Sequence, residues 1–180
     1  MTVAEIYDKY YPRGRRVREI LERHSRSVAN LALTINDSRR LGLSPEVVEQ
    51  AALLHDIGIF MTNAQGIDCH GAEPYIRHGI LGADLLRREG FPEEIARVAE
   101  RHTGAGITVE DIEELGLSLP SDRILYPETL LERLVCYADK FYSKSGDLKQ
   151  KSLDRVRASM AKHSSSTLER FEELHRFFTE

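Results

Sequence analysis

The run Ala51-Ala52-Leu53-Leu54-His55-Asp56-Ile57-Gly58 constrains this chain more than any other stretch. Ser44-Pro45 supplies an N-cap and a first-turn proline, apolar residues fill the helix that follows, and it ends in an adjacent histidine and aspartate. An imidazole and an ionised carboxylate at the buried end of an Ala/Leu helix are costly unless a partner compensates them, and a metal ion suits both at once.

The remaining segments also carry helical period. Val3 to Tyr10 is a short helix closed by Tyr11-Pro12 and Gly14, and Val17, Ile20, Leu21, His24, Val28, Leu31, Ala32 and Ile35 keep period up to Leu41-Gly42, with a break allowed near His24. Residues 59–73, with Gly66 and Gly71, read as a loop. Pro74 starts a helix that stops at Gly90, Phe91-Pro92-Glu93-Glu94 opens another through His102, and Thr108 caps a small acidic one to Leu115 with Asp111 at its third position. After a connection over 116–126, Pro127 begins a helix carrying Leu131, Val135, Ala138 and Asp139. Two amphipathic helices, roughly Leu148 to Met160 and Leu168 to Phe178, are joined by a serine turn. No strand-like alternation of useful length and no internal repeat appear, so the fold class is all-α.

On these helices the ionisable residues fall on apolar stripes: His24 with Val28, Leu31 and Ile35; His55 with Val48 and Ala52; His78 with Leu81 and Leu85; His102 with Ile95, Val98 and Ala99; Asp139 with Leu131 and Val135. Any one alone reads as a hydrogen-bonded core residue. Five together would each need a private partner in one small core, whereas a common metal centre satisfies all. Imidazole and carboxylate without thiolate suit iron, manganese, nickel, cobalt or zinc rather than magnesium or calcium. The six candidate ligands His24, His55, Asp56, His78, His102 and Asp139 exceed what one tetrahedral ion needs, and point to two divalent ions bridged by Asp56.

Bulk properties narrow the setting. With 180 residues, 41% hydrophobic and 30% charged, the chain suits one soluble globular domain. A net charge of −4 gives no global attraction to nucleic acid or anionic membrane, although Arg13, Arg15, Arg16 and Arg18 cluster locally. Charged residues near the N-terminus, and the lack of a long apolar span, make the cytoplasm the expected compartment. Cys69 and Cys136, without disulfide or zinc-finger spacing, fit a reducing one.

The ordered set His24-Ser-Arg-Ser-Val28, Leu54-His55-Asp56-Ile57-Gly58, His78-Gly79, His102-Thr103-Gly104 and Tyr137-Ala138-Asp139-Lys140 resembles the HD-domain superfamily of metal-dependent phosphohydrolases. The six ligands and His102-Thr103-Gly104 look like the branch that includes the diadenosine tetraphosphate hydrolases. Pro127 through Lys144 is similar to a group of small stand-alone HD proteins. The resemblance implies one HD domain over 1–180, with a motif core of about 16–145 and helices 148–178 packing on it. It implies one ion held by His24, His55, Asp56 and Asp139, and a second by His78, His102 and bridging Asp56. The chain departs from cyclic-dinucleotide phosphodiesterases at Ile59, where those relatives carry a lysine three residues after the motif aspartate.

The expected reaction is hydrolysis of a phosphate ester or anhydride, of a nucleotide or dinucleotide, by a metal-activated water. Lys140 and, one helical turn on, Lys144 are the expected phosphate cations, with Arg77 and Arg101 as further candidates off the apolar stripes. His70, in the loop Asp68-Cys69-His70-Gly71, is the candidate to cover the metal or protonate a leaving group; His163 and His175 read as structural. The expected partner is a small phosphorylated molecule, with neither nucleic acid nor membrane, and a second copy of the chain is left open. Two other classes remain: a di-iron oxygenase on the same six-ligand scaffold, similar to inositol oxygenase, and a binding or sensory module without turnover.

Overall fold

A computed structural model describes residues 1–146 and 149–180. Its helices are α1 (Val3–Tyr10), α2 (Arg16–Ser38), α3 (Pro45–Leu54), α4 (His78–Arg88), α5 (Glu93–Arg101), α6 (Val109–Leu115), α7 (Leu130–Asp139), α8 (Leu153–Ala161) and α9 (Ser165–Thr179). The all-α class holds. Among the described residues no helix is long and apolar enough to cross a membrane.

Local chemistry sets the boundaries. Ser44 accepts from the Val47 amide ahead of Pro45, and capping boxes start α1 (Thr2 with Glu5), α6 (Thr108 with Asp111) and α7 (Thr129 with Glu132). The Thr129 box explains why α7 begins at Leu130 rather than at Pro127. The serine run is no turn: Ser164 caps α9 and accepts from the Thr167 amide. α2 passes His24 unbroken. The expected helix start at Leu148 lies outside the described residues, and α8 begins at Leu153 behind its cap Ser152.

Residues 59–73 hold more structure than a loop. Short 3₁₀ turns at Ile59–Met61 and Gln65–Ile67 flank a minimal antiparallel pair, β1 (Asn63–Ala64) with β2 (Cys69–His70). A further 3₁₀ turn, Tyr75–Arg77, leads into α4.

α3 is the central element, packing on α2, α5 and α7, while α4 lies along α5, and α9 rests on α7 and α8. One apolar cluster runs from Ile6 in α1 to Phe178 in α9, and includes Leu54, Leu85, Leu134 and Phe171. Close backbone approach at the centre requires glycine. A Cβ on Gly58 would lie 2.2 Å from the His78 carbonyl oxygen and 2.4 Å from the Gly82 amide nitrogen, and one on Gly79 would lie 2.8 Å from the Ala99 carbonyl oxygen. These contacts draw α3, α4 and α5 together at their ends, where the histidines stand.

Candidate metal centre

Each expected ligand comes from a helix interior or end. His24 lies within α2, Asp139 is the last residue of α7, His55 and His102 cap the C-termini of α3 and α5, and His78 opens α4. Helix ends leave carbonyls without intrahelical partners, and three of the imidazoles use them. The Nδ1 atoms of His55, His78 and His102 donate to the carbonyls three residues earlier, Ala52 at 2.7 Å, Tyr75 at 2.7 Å and Ala99 at 2.8 Å. In a neutral imidazole, a proton on Nδ1 leaves Nε2 as a bare lone pair.

The ligand atoms converge in two groups around Asp56. One comprises His24, His55, Asp56 and Asp139, the other Asp56, His78 and His102, all buried. In the first, Asp56 Oδ2 is 3.2 Å from both His24 Nε2 and His55 Nε2, and Asp139 Oδ1 is 2.9 Å from His24 Nε2 and 3.4 Å from His55 Nε2. In the second, Asp56 Oδ1 is 3.4 Å from His78 Nε2 and 3.3 Å from His102 Nε2. Among the described residues neither Asp56 oxygen has a well-directed hydrogen bond, although the side chain is fully buried and Oδ2 lies 2.6 Å from Lys144 Nζ.

The donor set fits metal ions on electrostatic and geometric grounds. His78 Nε2 and His102 Nε2 face one another at 3.0 Å, two unprotonated acceptors in a buried setting. Burial, with the neighbouring His102, lowers the His78 pKa to about 3, and burial lowers that of His102 as well, so neither is charged at neutral pH. Two facing lone pairs repel unless a cation lies between them. Bonds of about 2.1 Å give ligand separations of about 3.0 Å in octahedral and about 3.4 Å in tetrahedral coordination, the range found here.

The first group carries more negative charge. Burial raises the Asp56 and Asp139 pKa values, yet Lys144 and His55 beside Asp56, and Lys140 beside Asp139, outweigh it and hold both well below the usual carboxylate range. Burial also opposes charge on His55, but Asp56 and Asp139 bring its pKa up to about 9.

A cavity of about 590 Å³ opens beside the centre. His78, His102, Asp139, Lys140 and Lys144 reach it, and Ile67, Tyr75, Ile107, Leu117 and Met160 make its apolar walls. A family model describing the HD domain matches residues 21–143. The chain belongs to the HD domain family.

Relatives of this HD domain carry diverse names. A tRNA (cytidine(56)-2'-O)-methyltransferase of Thermoplasma volcanium is 36% identical over 162 residues, 89% of this chain and 42% of that protein. An uncharacterized protein of Methanocaldococcus jannaschii is 45% identical over 109 residues, 61% of this chain and 56% of that one. The HD domain thus spans about half the length of these curated relatives. Among solved structures, the HD domain of the L. monocytogenes phosphodiesterase PgpH superposes with a TM-score of 0.55 at 15% identity, covering 96% of this chain and 94% of that one. The same domain in complex with cyclic-di-AMP matches at 14% identity, TM-score 0.55, covering 96% of this chain and 92% of that one.

Three residues expected around the centre, His70 over the metal or leaving group and Arg77 and Arg101 near the phosphate, make their contacts elsewhere. His70 is on β2 with its side chain 58% exposed, Nε2 3.0 Å from Asp68 Oδ1. Arg77 pairs with Glu73 at 2.9 Å and donates to the Ser118 carbonyl. Arg101 is buried and donates to Glu128 at 2.6 Å and Glu132 at 3.1 Å, tying α5 to the start of α7. In each case a carboxylate nearby in space, Asp68, Glu73 or Glu128 with Glu132, takes the side chain instead.

Lys140 and Lys144 do reach the centre. Lys140 Nζ is buried and already donates to Asp139 Oδ2 at 2.6 Å and the His102 carbonyl at 2.9 Å. Lys144 leaves a bend beyond α7, not a helical turn, and its Nζ is 2.6 Å from Asp56 Oδ2. His175, taken as structural, pairs with the Tyr137 hydroxyl at 2.8 Å, whereas His163 lines the cavity.

Support residues escaped the sequence reading. Tyr11, fully buried, donates its hydroxyl to the Ile57 carbonyl at 2.7 Å, and Tyr7 donates to the Leu53 carbonyl, so α1 and its C-cap brace the backbone either side of His55-Asp56. Tyr75 stacks on the His78 ring with centroids 4.6 Å apart. Buried tyrosines in a short amphipathic helix, and one three residues before a ligand, were the available signals.

Proposed function

We propose that this HD domain is a metal-dependent phosphohydrolase acting on a phosphate ester or anhydride of a small phosphorylated molecule of the nucleotide class. The observation that carries the reading is the pair of ligand groups sharing Asp56 at the wall of a cavity that also receives Lys144. His24, His55, Asp56 and Asp139 would hold one divalent ion, and Asp56, His78 and His102 the other. Such ions supply Lewis-acid neutralisation of a phosphoryl group and acidify water toward a neutral pKa.

The chain's own residues do the rest. The carbonyls of Ala52, Tyr75 and Ala99 fix the tautomer of three imidazoles and aim their Nε2 atoms. Lys140 holds Asp139 through Oδ2, leaving Oδ1 turned to His24 and His55. Apolar walls exclude bulk water, which strengthens each charge interaction at the phosphate. His70 is turned outward onto Asp68, away from the leaving group, and Ile59 has no proton to give.

Elemental analysis of protein purified without added metal, followed by a phosphate-release screen over nucleoside phosphates, dinucleoside polyphosphates and cyclic dinucleotides, tests the proposal. A tRNA substrate belongs in the screen because relatives are named as acting on tRNA. Hydrolysis supported by manganese, nickel or cobalt and lost in His55→Ala supports it. Turnover that requires both iron and oxygen replaces it with the oxygenase.

A further inference from the structure

Asp56 Oδ2 is claimed twice. It faces His24 Nε2 and His55 Nε2 at 3.2 Å each, as a shared metal ligand would, and it also takes the Lys144 ammonium at 2.6 Å. The Lys144 side chain is 14% exposed, with the Tyr75 ring 5.9 Å from the charge. A divalent ion on that oxygen would sit at about 2.0–2.2 Å, so ion and ammonium would press like charges together in a buried pocket. One must leave.

Lys140 is placed differently. It holds Asp139 through Oδ2 while Oδ1 faces His24 and His55, so an ion bound through Oδ1 leaves that contact intact. The charge balance separates the two lysines further. Asp56 and Asp139 carry two negative charges and Lys140 and Lys144 two positive ones, so with Lys144 in place each carboxylate already has its own ammonium. Adding divalent ions makes the cluster strongly positive, which expels the ammonium that shares an oxygen with the ion and attracts an anion.

Lys144 has somewhere to go. It leaves a bend rather than a helix on a four-carbon stem, and it lines the cavity with Ser143, Ser145, Lys151 and His163. We propose that Lys144 is a displaceable internal cation, which neutralises Asp56 until a divalent ion takes that oxygen and then turns into the cavity to hold the substrate's phosphate. The inference rests on the metal-centre reading above. It makes ion and phosphate binding mutually reinforcing: the ion frees the lysine for phosphate, and phosphate keeps the lysine off Asp56.

Titration calorimetry of the full chain with Mn(II), with and without inorganic phosphate, tests this. Lys144→Met, which keeps the stem and removes the charge, should bind Mn(II) about tenfold more tightly than wild type, and phosphate should tighten Mn(II) binding in wild type but not in the variant. Unchanged or weaker Mn(II) binding in Lys144→Met, or phosphate enhancement that survives in it, overturns the inference, provided Asp56→Ala, which removes the ligand common to both groups, abolishes binding. Wild type that binds no Mn(II), or His55→Ala that binds it normally, overturns the metal centre as well. Lys144→Gln serves the same comparison if circular dichroism shows that Lys144→Met has not folded.

Discussion

The two halves of the centre are built by different means. The half around Asp56 Oδ2 gathers His24, His55 and Asp139 from α2, α3 and α7, long-range partners fixed by the packing of three helices on one core. The half around Oδ1 takes His78 and His102 from α4 and α5, aligned with α3 by the close approaches at Gly58 and Gly79. Charge divides them too. Two carboxylates raise the His55 pKa to about 9 in the first half, whereas burial beside His102 drops His78 to about 3 in the second. An acid-rich pocket on a rigid core should bind its ion tightly, and an imidazole pair on a glycine seam should bind its ion more weakly.

The largest effect should come from the residue the halves share. Asp56→Ala is expected to lose both ions and all turnover, while His78→Ala loses one ion and retains the other, as read by metal-to-protein stoichiometry in elemental analysis. Equal stoichiometry in the two variants would dissolve the distinction between the halves.

Acid and alkali should also separate them in metal-stripped protein. His78 is neutral when folded down to about pH 3, whereas the unfolded chain binds its proton near 6.5. The unfolded state is therefore favoured as pH falls from about 6.5 toward 3, by up to about 1.4 kcal/mol per pH unit. His55 has the opposite sign: its folded pKa, raised to about 9, contributes stability fully present below about 6.5 and lost as pH rises through 9. Urea titrations across pH should show both limbs, with His78→Leu flattening the acid limb and sparing the alkaline one.

The seam itself is tested by Gly58→Ala. A Cβ 2.2 Å from the His78 carbonyl oxygen must push α4 away, at a cost of about 1–3 kcal/mol. Thermal unfolding should show the loss, and the second-half ion should weaken more than the first.

Much of this was legible in the sequence, for reasons particular to each residue. The ligands sit at apolar helix ends, so His55, His78, His102 and Asp139 announced themselves by interrupting a stripe, and His24 by sharing one. The glycines beside them, Gly58 and Gly79, were visible as motif residues, but backbone approach between distant helices has no local signature. The arginines misled because their pairing depends on groups far along the chain: Arg101 is drawn to the Glu128 and Glu132 carboxylates, and Arg77, beside Glu73, to the Ser118 carbonyl. His70 misled because proximity in sequence to the ligand helices does not survive the reversal of β1 and β2, which turns its ring outward. The cavity wall drawn from Met160 and His163 was hidden for the same reason, since only tertiary packing brings α8 back over the centre.

The smallest effect, and the one that bears most on how the halves communicate, belongs to Lys140. Its ammonium joins Asp139 of the first half to the His102 carbonyl of the second, and both contacts are buried. Lys140→Met removes the charge that orients Asp139 without removing any ligand, so both ions should still bind. Loss of such an orienting partner lowers metal affinity by about 10–100-fold, which calorimetry with Mn(II) resolves. Because the lysine grips a side-chain oxygen of Asp139 but only the backbone of His102, the loss should fall mainly on the first ion. A loss confined to phosphate binding, with Mn(II) affinity untouched, would instead return Lys140 to the substrate.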